Sequence, residues 1–415
     1  MRKIAIVGGG QSGLQLALSL LKNNYEVTVV SSRTAEQIFN GRVTSSQFMF
    51  RDSLQNECNL GINFWEKQGP VAEGLAFTIP GPNKTRALFW EAKLDHYGQS
   101  VDQRVKISGW LKEFAERGGN LVFQDASPQD LDGYSKSHDL VLVAAGNGEL
   151  TRMFERDATR SPFDKPMRAL ALTYVRNMVP RTSFTAVSFN LVPGVGEYFV
   201  FPALTTTGRC EIMVFEGVPG GPMDCWNDVK TPQQHLAKSK WVLETFMPVE
   251  RERCDNIELT DENGILAGRF APTVRKPVCK LPSGNFALGM GDVVVTNDPI
   301  TGQGSNTASK SGGDLHETDC RAWRQALRCA VDAGNLRYLL ELCAMGRALD
   351  KLSTGSPCTT SPAVDGGCQP DTATSAPHSK WIQQSTGLRA VVVRRCESAG
   401  RDQEPGARSG VVSTN

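Results

Sequence analysis

Three glycines carry the first chemistry in this chain. In Gly8-Gly9-Gly10-Gln11-Ser12-Gly13 they take the GxGxxG spacing, after an apolar run from Lys3 to Val7 and before Leu14, Leu16, Ala17, Leu18, Leu20 and Leu21. The first run reads as a strand and the second as the apolar face of a helix. Gly8 suits a tight turn, Gly10 lets backbone approach a pyrophosphate, and Gly13 lets the helix pack on the strand. At the helix N-terminus, where Gln11 and Ser12 stand, free N–H groups and a partial positive charge favour phosphate. Glu26 to Val30 then completes a βαβ unit. The acidic residue expected after that strand is replaced by Ser31-Ser32-Arg33. Ser31 can substitute a hydroxyl for the carboxylate, and Arg33 equally suits a 2′-phosphate, so this segment leaves FAD, NAD and NADP open.

A second segment narrows the choice. Gly289-Met290-Gly291-Asp292, followed by Pro299-Ile300-Thr301-Gly302-Gln303-Gly304-Ser305-Asn306, resembles the GD segment and Pro-x-x-Gly-x-Gly turn of FAD-dependent hydroxylases. That resemblance assigns Asp292 to the flavin ribityl chain, and Pro299, Gly302, Gln303, Gly304 and Asn306 to the turn and helix start beside the isoalloxazine. A helix N-terminus there stabilises the negative charge of reduced flavin. Gly146, which closes the apolar run Asp139 to Ala145, joins the cofactor set.

The chain from residue 1 to about 310 resembles the oxygenase components of two-component styrene and indole monooxygenases. The matching pieces are Gly41-Arg42-Val43, Asn63-Phe64-Trp65, Ser100-Val101-Asp102-Gln103-Arg104, Ser161-Pro162-Phe163-Asp164-Lys165-Pro166, Asp298-Pro299 and Gly302-Gln303-Gly304. The resemblance implies a protein that takes FADH₂ from a separate NADH-dependent flavin reductase and reacts it with O₂. Through a C4a-hydroperoxide it would epoxidise an electron-rich C=C bond, with no acid/base pair and no metal. Arg42 would lie near the flavin or its phosphates. The segment after it lines the pocket, and Ser45, Gln47 and Met49 match the indole branch, where styrene enzymes carry Asn, Val and His. Period-2 spacing puts all three on one face of an extended segment. Further pocket positions fall near Ala72, Leu75 and Gly98, and Gln47 and Ser45 would meet the indole N–H. Indole epoxide would open to indoxyl and oxidise to indigo. A styrene epoxidase of the same family and a non-catalytic FAD- or NADP-binding protein are the alternatives.

These pieces imply an α/β fold: a Rossmann-type FAD-binding domain with an inserted β-sheet substrate domain, like the group A flavoprotein hydroxylases. Residues 1–165 and 270–310 would form the FAD domain with parts of the pocket, and 166–269 the substrate domain. Apolar and polar residues alternate through Thr182-Asn190, Glu197-Pro202 and Cys210-Phe215, as in an antiparallel sheet, and helices are expected at Trp110 to Arg117 and Gln233 to Phe246.

Composition agrees. Lys+Arg is 45 against 44 for Asp+Glu, which argues against phosphate-neutralising nucleic-acid binding. No apolar stretch is long enough to span a membrane and the N-terminus lacks a secretory signal, so the expectation is a cytoplasmic protein with reduced thiols. A homodimer is left open. His96, His138, His235, His316 and His378 lack metal-ligand spacing and read as surface or capping residues, while Asp125, Asp130 and Asp132 read as a solvated loop. Residues 311–415 form an atypical tail. It holds none of the 18 Phe, six of the 11 Cys (Cys320, Cys329, Cys343, Cys358, Cys368, Cys396) and ten Arg against two Lys. Both a disordered tail and a shifted reading frame fit that composition, and one helix is plausible at Arg321 to Leu352.

Overall fold

The computed structural model describes residues 2–146 and 148–317. The helix expected at Arg321 to Leu352, the six C-terminal cysteines and His378 lie outside the described residues. In chain order the elements are β1 (Lys3–Val7), α1 (Gln11–Lys22), β2 (Glu26–Ser31), α2 (Ala35–Phe39), α3 (Arg51–Leu60), β3 (Val71–Pro80), β4 (Arg86–Gln99) and α4 (Gln103–Glu116). They continue with β5 (Asn120–Phe123), α5 (Pro128–Ser137), β6 (Leu140–Val143), α6 (Glu149–Arg152), β7 (Ala169–Arg176), β8 (Ala186–Val192), β9 (Gly196–Thr205) and β10 (Gly208–Gly217). The last are α7 (Pro232–Phe246), α8 (Pro248–Arg251), β11 (Glu258–Leu259), β12 (Ile265–Gly268), β13 (Thr273–Val274), β14 (Val278–Lys280), β15 (Phe286–Gly289), β16 (Val295–Thr296) and α9 (Gly304–Glu317).

One sheet runs β14-β15-β6-β1-β2-β5, with β15, β6, β1, β2 and β5 mutually parallel and β14 antiparallel at the edge. Its central strands are continuous apolar runs because helices cover both faces. On one side Ile4, Ile6, Val27 and Val29 pack with Leu14 and Leu18 of α1 and with Trp110 and Phe114 of α4. On the other, Ala5, Val7, Val141 and Val143 meet Leu131 of α5 and Phe154. The carboxyl ends of β1, β6 and β15 lie side by side: the Ala144 N–H donates to Val7 O (2.8 Å) and the Met290 N–H to Val143 O (2.9 Å). In open α/β sheets ligands bind at such an edge.

The second sheet runs β11-β7-β10-β9-β8-β3-β4, with β12 also on β7. Here the expected boundary needs correction. The sequence places residues 71–99 in the FAD domain, yet β3 pairs in parallel with β8 (Gly74↔Ala186 through Thr78↔Asn190), so the substrate sheet draws its far edge from between nucleotide-domain segments. Pairing between strands so distant in sequence leaves no trace in local periodicity. One face of this sheet presents Ala171, Val175, Tyr198, Val200, Met213 and Phe215 to Val242 and Leu243 of α7. The helix is capped by Thr231, whose hydroxyl accepts from the Gln234 N–H.

Two smaller expectations also change. Helix α4 starts at Gln103 rather than near Trp110, because the Asp102 carboxylate caps it by accepting from the Arg104 N–H (2.8 Å). Residues 128–137 are helix α5 rather than a solvated loop. Ser127 and Asp130 form its capping box, and Asp132 accepts from the Ser283 N–H (2.8 Å). Among the described residues, no helix is long and apolar enough to cross a membrane.

Candidate active site

The glycine turn between β1 and α1 has the stereochemistry its sequence anticipates. Gly8 sits at φ +123°, and a side chain there would come within 2.5 Å of the Ala144 carbonyl carbon. A Cβ on Gly13 would collide with the Gly8 carbonyl oxygen. A Cβ on Gly10, by contrast, would meet nothing within 4 Å. Gly10 is also the N-cap of α1 and gives it no side-chain cap, so the first N–H groups of the helix face that open space.

The GD segment closes the same crevice. Gly146 backs directly on Asp292, where an added Cβ would lie 2.8 Å from the Asp292 Cβ. Gly291 (φ +57°) backs on the Ser12 hydroxyl, 2.6 Å from where its own Cβ would be. The Asp292 carboxyl is reachable by solvent but crowded by protein, and that crowding raises its pKa. Pro299 opens the turn Pro299–Thr301, Gly302 ends it at φ +58°, and α9 starts at Gly304 beside open space. Gln11 joins the two halves. Its amide Nε2 reaches Ser305 O (3.2 Å) and its Oε1 accepts from Gln103 Nε2 (2.8 Å). The Gln303 N–H reaches Thr301 Oγ1 (3.4 Å).

Other residues expected at the cofactor are placed differently. Ser31 donates to Arg33 O (2.7 Å) and stands against Gly9, while Arg33 and Arg42 are exposed. A buried cation of this region, to which the sequence assigns no role, is Arg104. Its guanidinium meets both oxygens of Asp261 (2.9 and 3.0 Å), Asp102 Oδ2 (2.9 Å) and Thr205 Oγ1 (3.0 Å), and it also donates to Gly41 O (3.4 Å). Burial alone would lower its pKa, but the bonds to Asp261 and Asp102 outweigh that and hold it charged. Asn306 directs its side chain to backbone, accepting from the Phe50 N–H (3.0 Å) and donating to Phe48 O (2.8 Å). It clamps the Phe48–Phe50 segment onto the first turn of α9.

Just before that segment, Ser45 and Gln47 do share a side: the Ser45 hydroxyl reaches Gln47 Oε1 (3.1 Å). Tyr174 of β7 donates to Ser45 O (2.8 Å) and accepts from Gln47 Nε2 (3.2 Å). Met49 makes different contacts. Its backbone bridges to Gln99, and its sulfur accepts from Gln11 Nε2 (3.4 Å), at the cofactor crevice. Ala72 and Gly98 pair across β3 and β4, with Gly98 against the Phe48 ring, which in turn packs edge-on against Phe201 at 5.4 Å.

The sheet face opposite α7 is the main feature the sequence reading missed. Cross-strand partners share a face, so the register aligns Phe77, Phe189, Phe199, Val214 and Leu172 in one row. Ile212 lies between Phe201 and Tyr174, Glu216 lies between Glu197 and Leu170, and Leu75 pairs with Val187. Alternation in β7, β9 and β10 signals such a face, but only the register shows which residues are neighbours. Of the histidines, His138 closes α5, whereas His235 is buried against Trp226 at 4.7 Å. Among the described residues no cluster of metal-ligating side chains occurs, and Cys58, Cys210, Cys225, Cys254 and Cys279 are free thiols.

A family model described as "Styrene monooxygenase A putative substrate binding domain" matches residues 146–253. The styrene monooxygenase StyA of Pseudomonas fluorescens is 30% identical over 322 residues, which cover 76% of this chain and 77% of that protein. Among solved structures, the flavin-dependent brominase Bmp2 superposes with TM-score 0.59 at 13% identity, covering 97% of this chain and all of the brominase. PqsL of Pseudomonas aeruginosa, a probable FAD-dependent monooxygenase, gives TM-score 0.56 at 14% identity, covering 85% and 94% of the two chains. The solved structures share the fold, and the match to styrene monooxygenase StyA makes the chain an FAD-dependent monooxygenase. Within that class it belongs to the styrene monooxygenase family.

Proposed function

We propose that this chain is the oxygenase component of a two-component flavoprotein monooxygenase, taking FADH₂ from a separate NADH-dependent reductase and epoxidising indole across its C2=C3 bond. Reduced FAD, once bound, supplies the activated oxygen. The protein supplies position and dryness. Gly10 and the N-terminus of α1 receive the pyrophosphate, Asp292 the ribityl hydroxyls, and the first turn of α9 the ring edge where reduced flavin carries its charge. The row Phe189, Phe199, Val214 and Leu172 gives a planar aromatic substrate an apolar floor.

One observation carries this reading: the pocket segment is fastened to the cofactor crevice at two points, Met49 to Gln11 and Asn306 to Phe48 and Phe50. Such contacts keep substrate and flavin in register. The choice of indole rests on the identity match of Ser45, Gln47 and Met49 to the indole branch. To test it, the full chain is combined with a generic flavin reductase, NADH, FAD and indole, and pigment is read by absorbance. Blue pigment requiring both proteins supports the proposal. Turnover of styrene without indole oxidation would instead make the chain a styrene epoxidase, and loss of flavin binding would make it non-catalytic.

A further inference from the structure

Gln47 is badly placed to receive a substrate N–H. The Ser45 carbonyl can only accept, so the single Tyr174 hydroxyl proton goes to it. Tyr174 must then accept from the Gln47 amide nitrogen, and the Ser45 hydroxyl must donate to the amide oxygen. The amide is thereby fixed in one orientation, and Gln47 has no exposed surface at all. Its role is to hold the segment in place.

Glu216 presents the opposite case. It lies on the sheet face opposite α7, cross-strand from Glu197 on one side and Leu170 on the other, at the end of the apolar floor. The residue is 3% exposed, and its Oε2 has no hydrogen-bond partner. The neighbouring cation is already committed: Arg168 donates to both oxygens of Glu197 (2.8 and 3.0 Å) and to Met167 O (2.8 Å). Burial raises the Glu216 pKa well above the usual range, the negative charges of Glu197 and Asp298 add to that, and Arg168 opposes it only in part. Asp298 caps the Pro299–Thr301 turn that leads into α9, so Glu216 stands where the substrate sheet meets the cofactor turn. A neutral carboxyl there offers one O–H donor and one carbonyl acceptor. A buried polar atom left unpaired in a native protein calls for an explanation, and a ligand group is one.

We propose that Glu216 is a specificity-determining residue of the pocket, hydrogen-bonding an N–H or O–H group on a planar aromatic substrate that lies over Phe199, Val214 and Leu172. It rests on the aromatic-monooxygenase reading, and it separates substrates with a ring N–H from plain hydrocarbons of similar shape. Sites built to pair a polar group discriminate strongly against analogues that lack it.

Two measurements test this. The first is the infrared difference spectrum of wild type minus Glu216→Gln, without flavin. It is expected to show the C=O band of a protonated carboxyl that shifts on adding indole and stays still with styrene or N-methylindole. Absence of the band, or a band indifferent to indole, overturns the proposal. The second is the indole-to-styrene ratio of kcat/KM. It is expected to fall about tenfold in Glu216→Leu while staying within about threefold in Glu216→Gln. An equal fall in both variants would mean that Glu216 acts through its charge or its packing, and would also overturn it. A band that shifts with indole in a protein that forms no pigment would reject indole as the substrate and leave the recognition by Glu216 standing.

Discussion

At Gly13 one added methyl group would strike the Gly8 carbonyl, and three residues earlier, at Gly10, the same group would meet empty space. That contrast typifies the cofactor crevice, whose shape is set by backbone and by missing side chains within six consecutive residues. The substrate sheet is built the other way. Its decisive contacts join side chains far apart in sequence, such as Gln47 with Tyr174 across 127 positions and Arg104 with Asp261 across 157. The crevice is therefore tolerant of surface change but intolerant of bulk at fixed points, and the substrate face depends on polar pairs that fail when one partner is removed.

The largest expected effect tests the crevice. Gly13→Val should abolish FAD binding and lower the melting temperature, because strand and helix must separate. Gly10→Ala should keep the melting temperature of the apoprotein while weakening FAD about 10- to 100-fold, a loss of about 1.4–2.8 kcal/mol. Flavin fluorescence titration and thermal melts of both variants separate the two. Equal effects at the two positions would erase the distinction drawn between them.

Next comes the substrate side. Arg104→Ala leaves Asp102 buried and Asp261 half-buried without their cation and should cost about 3–5 kcal/mol in urea unfolding. Arg104→Lys should recover only part of this, since it cannot grip Asp261 with two parallel bonds. A loss under about 1 kcal/mol would show that the two sheets are not tied through this residue.

The smallest of the three concerns the α7 face. Burial lowers the His235 pKa to about 4, despite a hydrogen bond to the Leu172 backbone that raises it. The folded state thus holds His235 neutral where the unfolded chain would protonate it below about pH 6.5. Stability from this group is fully present above that pH and declines as pH falls toward 4, by about 3 kcal/mol in all. His235→Gln should flatten the slope across that window in chemical denaturation, and an unchanged slope would place the titration elsewhere.

How much of this was legible follows from the same contrast. The crevice could be read from GxGxxG and the Asp292 segment because glycine is constrained by chemistry local to each position. Gly146 backs on Asp292, and Gly291 on the Ser12 hydroxyl. For residues 45–49 less was legible: Ser45 and Gln47 share a side, but the contact of Met49 with Gln11 cannot be read from spacing within an irregular stretch. Glu216 sits in an alternating strand like any other polar residue, and only the fold shows it buried beside Glu197 with an oxygen unpaired. The membership of β3 and β4 in the substrate sheet was hidden for the same reason, since parallel pairing with β8 depends on a partner more than a hundred residues away.

The Asn306 clamp bears on how this protein can be altered. Because one amide fastens Phe48 and Phe50 to the helix that follows Gly302, the proposed pocket segment and the proposed cofactor turn cannot be altered independently. Libraries built at residues 45–49 should show correlated losses of flavin retention and gains of substrate scope. Broadening without that penalty would have to come from the sheet strands, where the floor residues can be exchanged without touching the clamp.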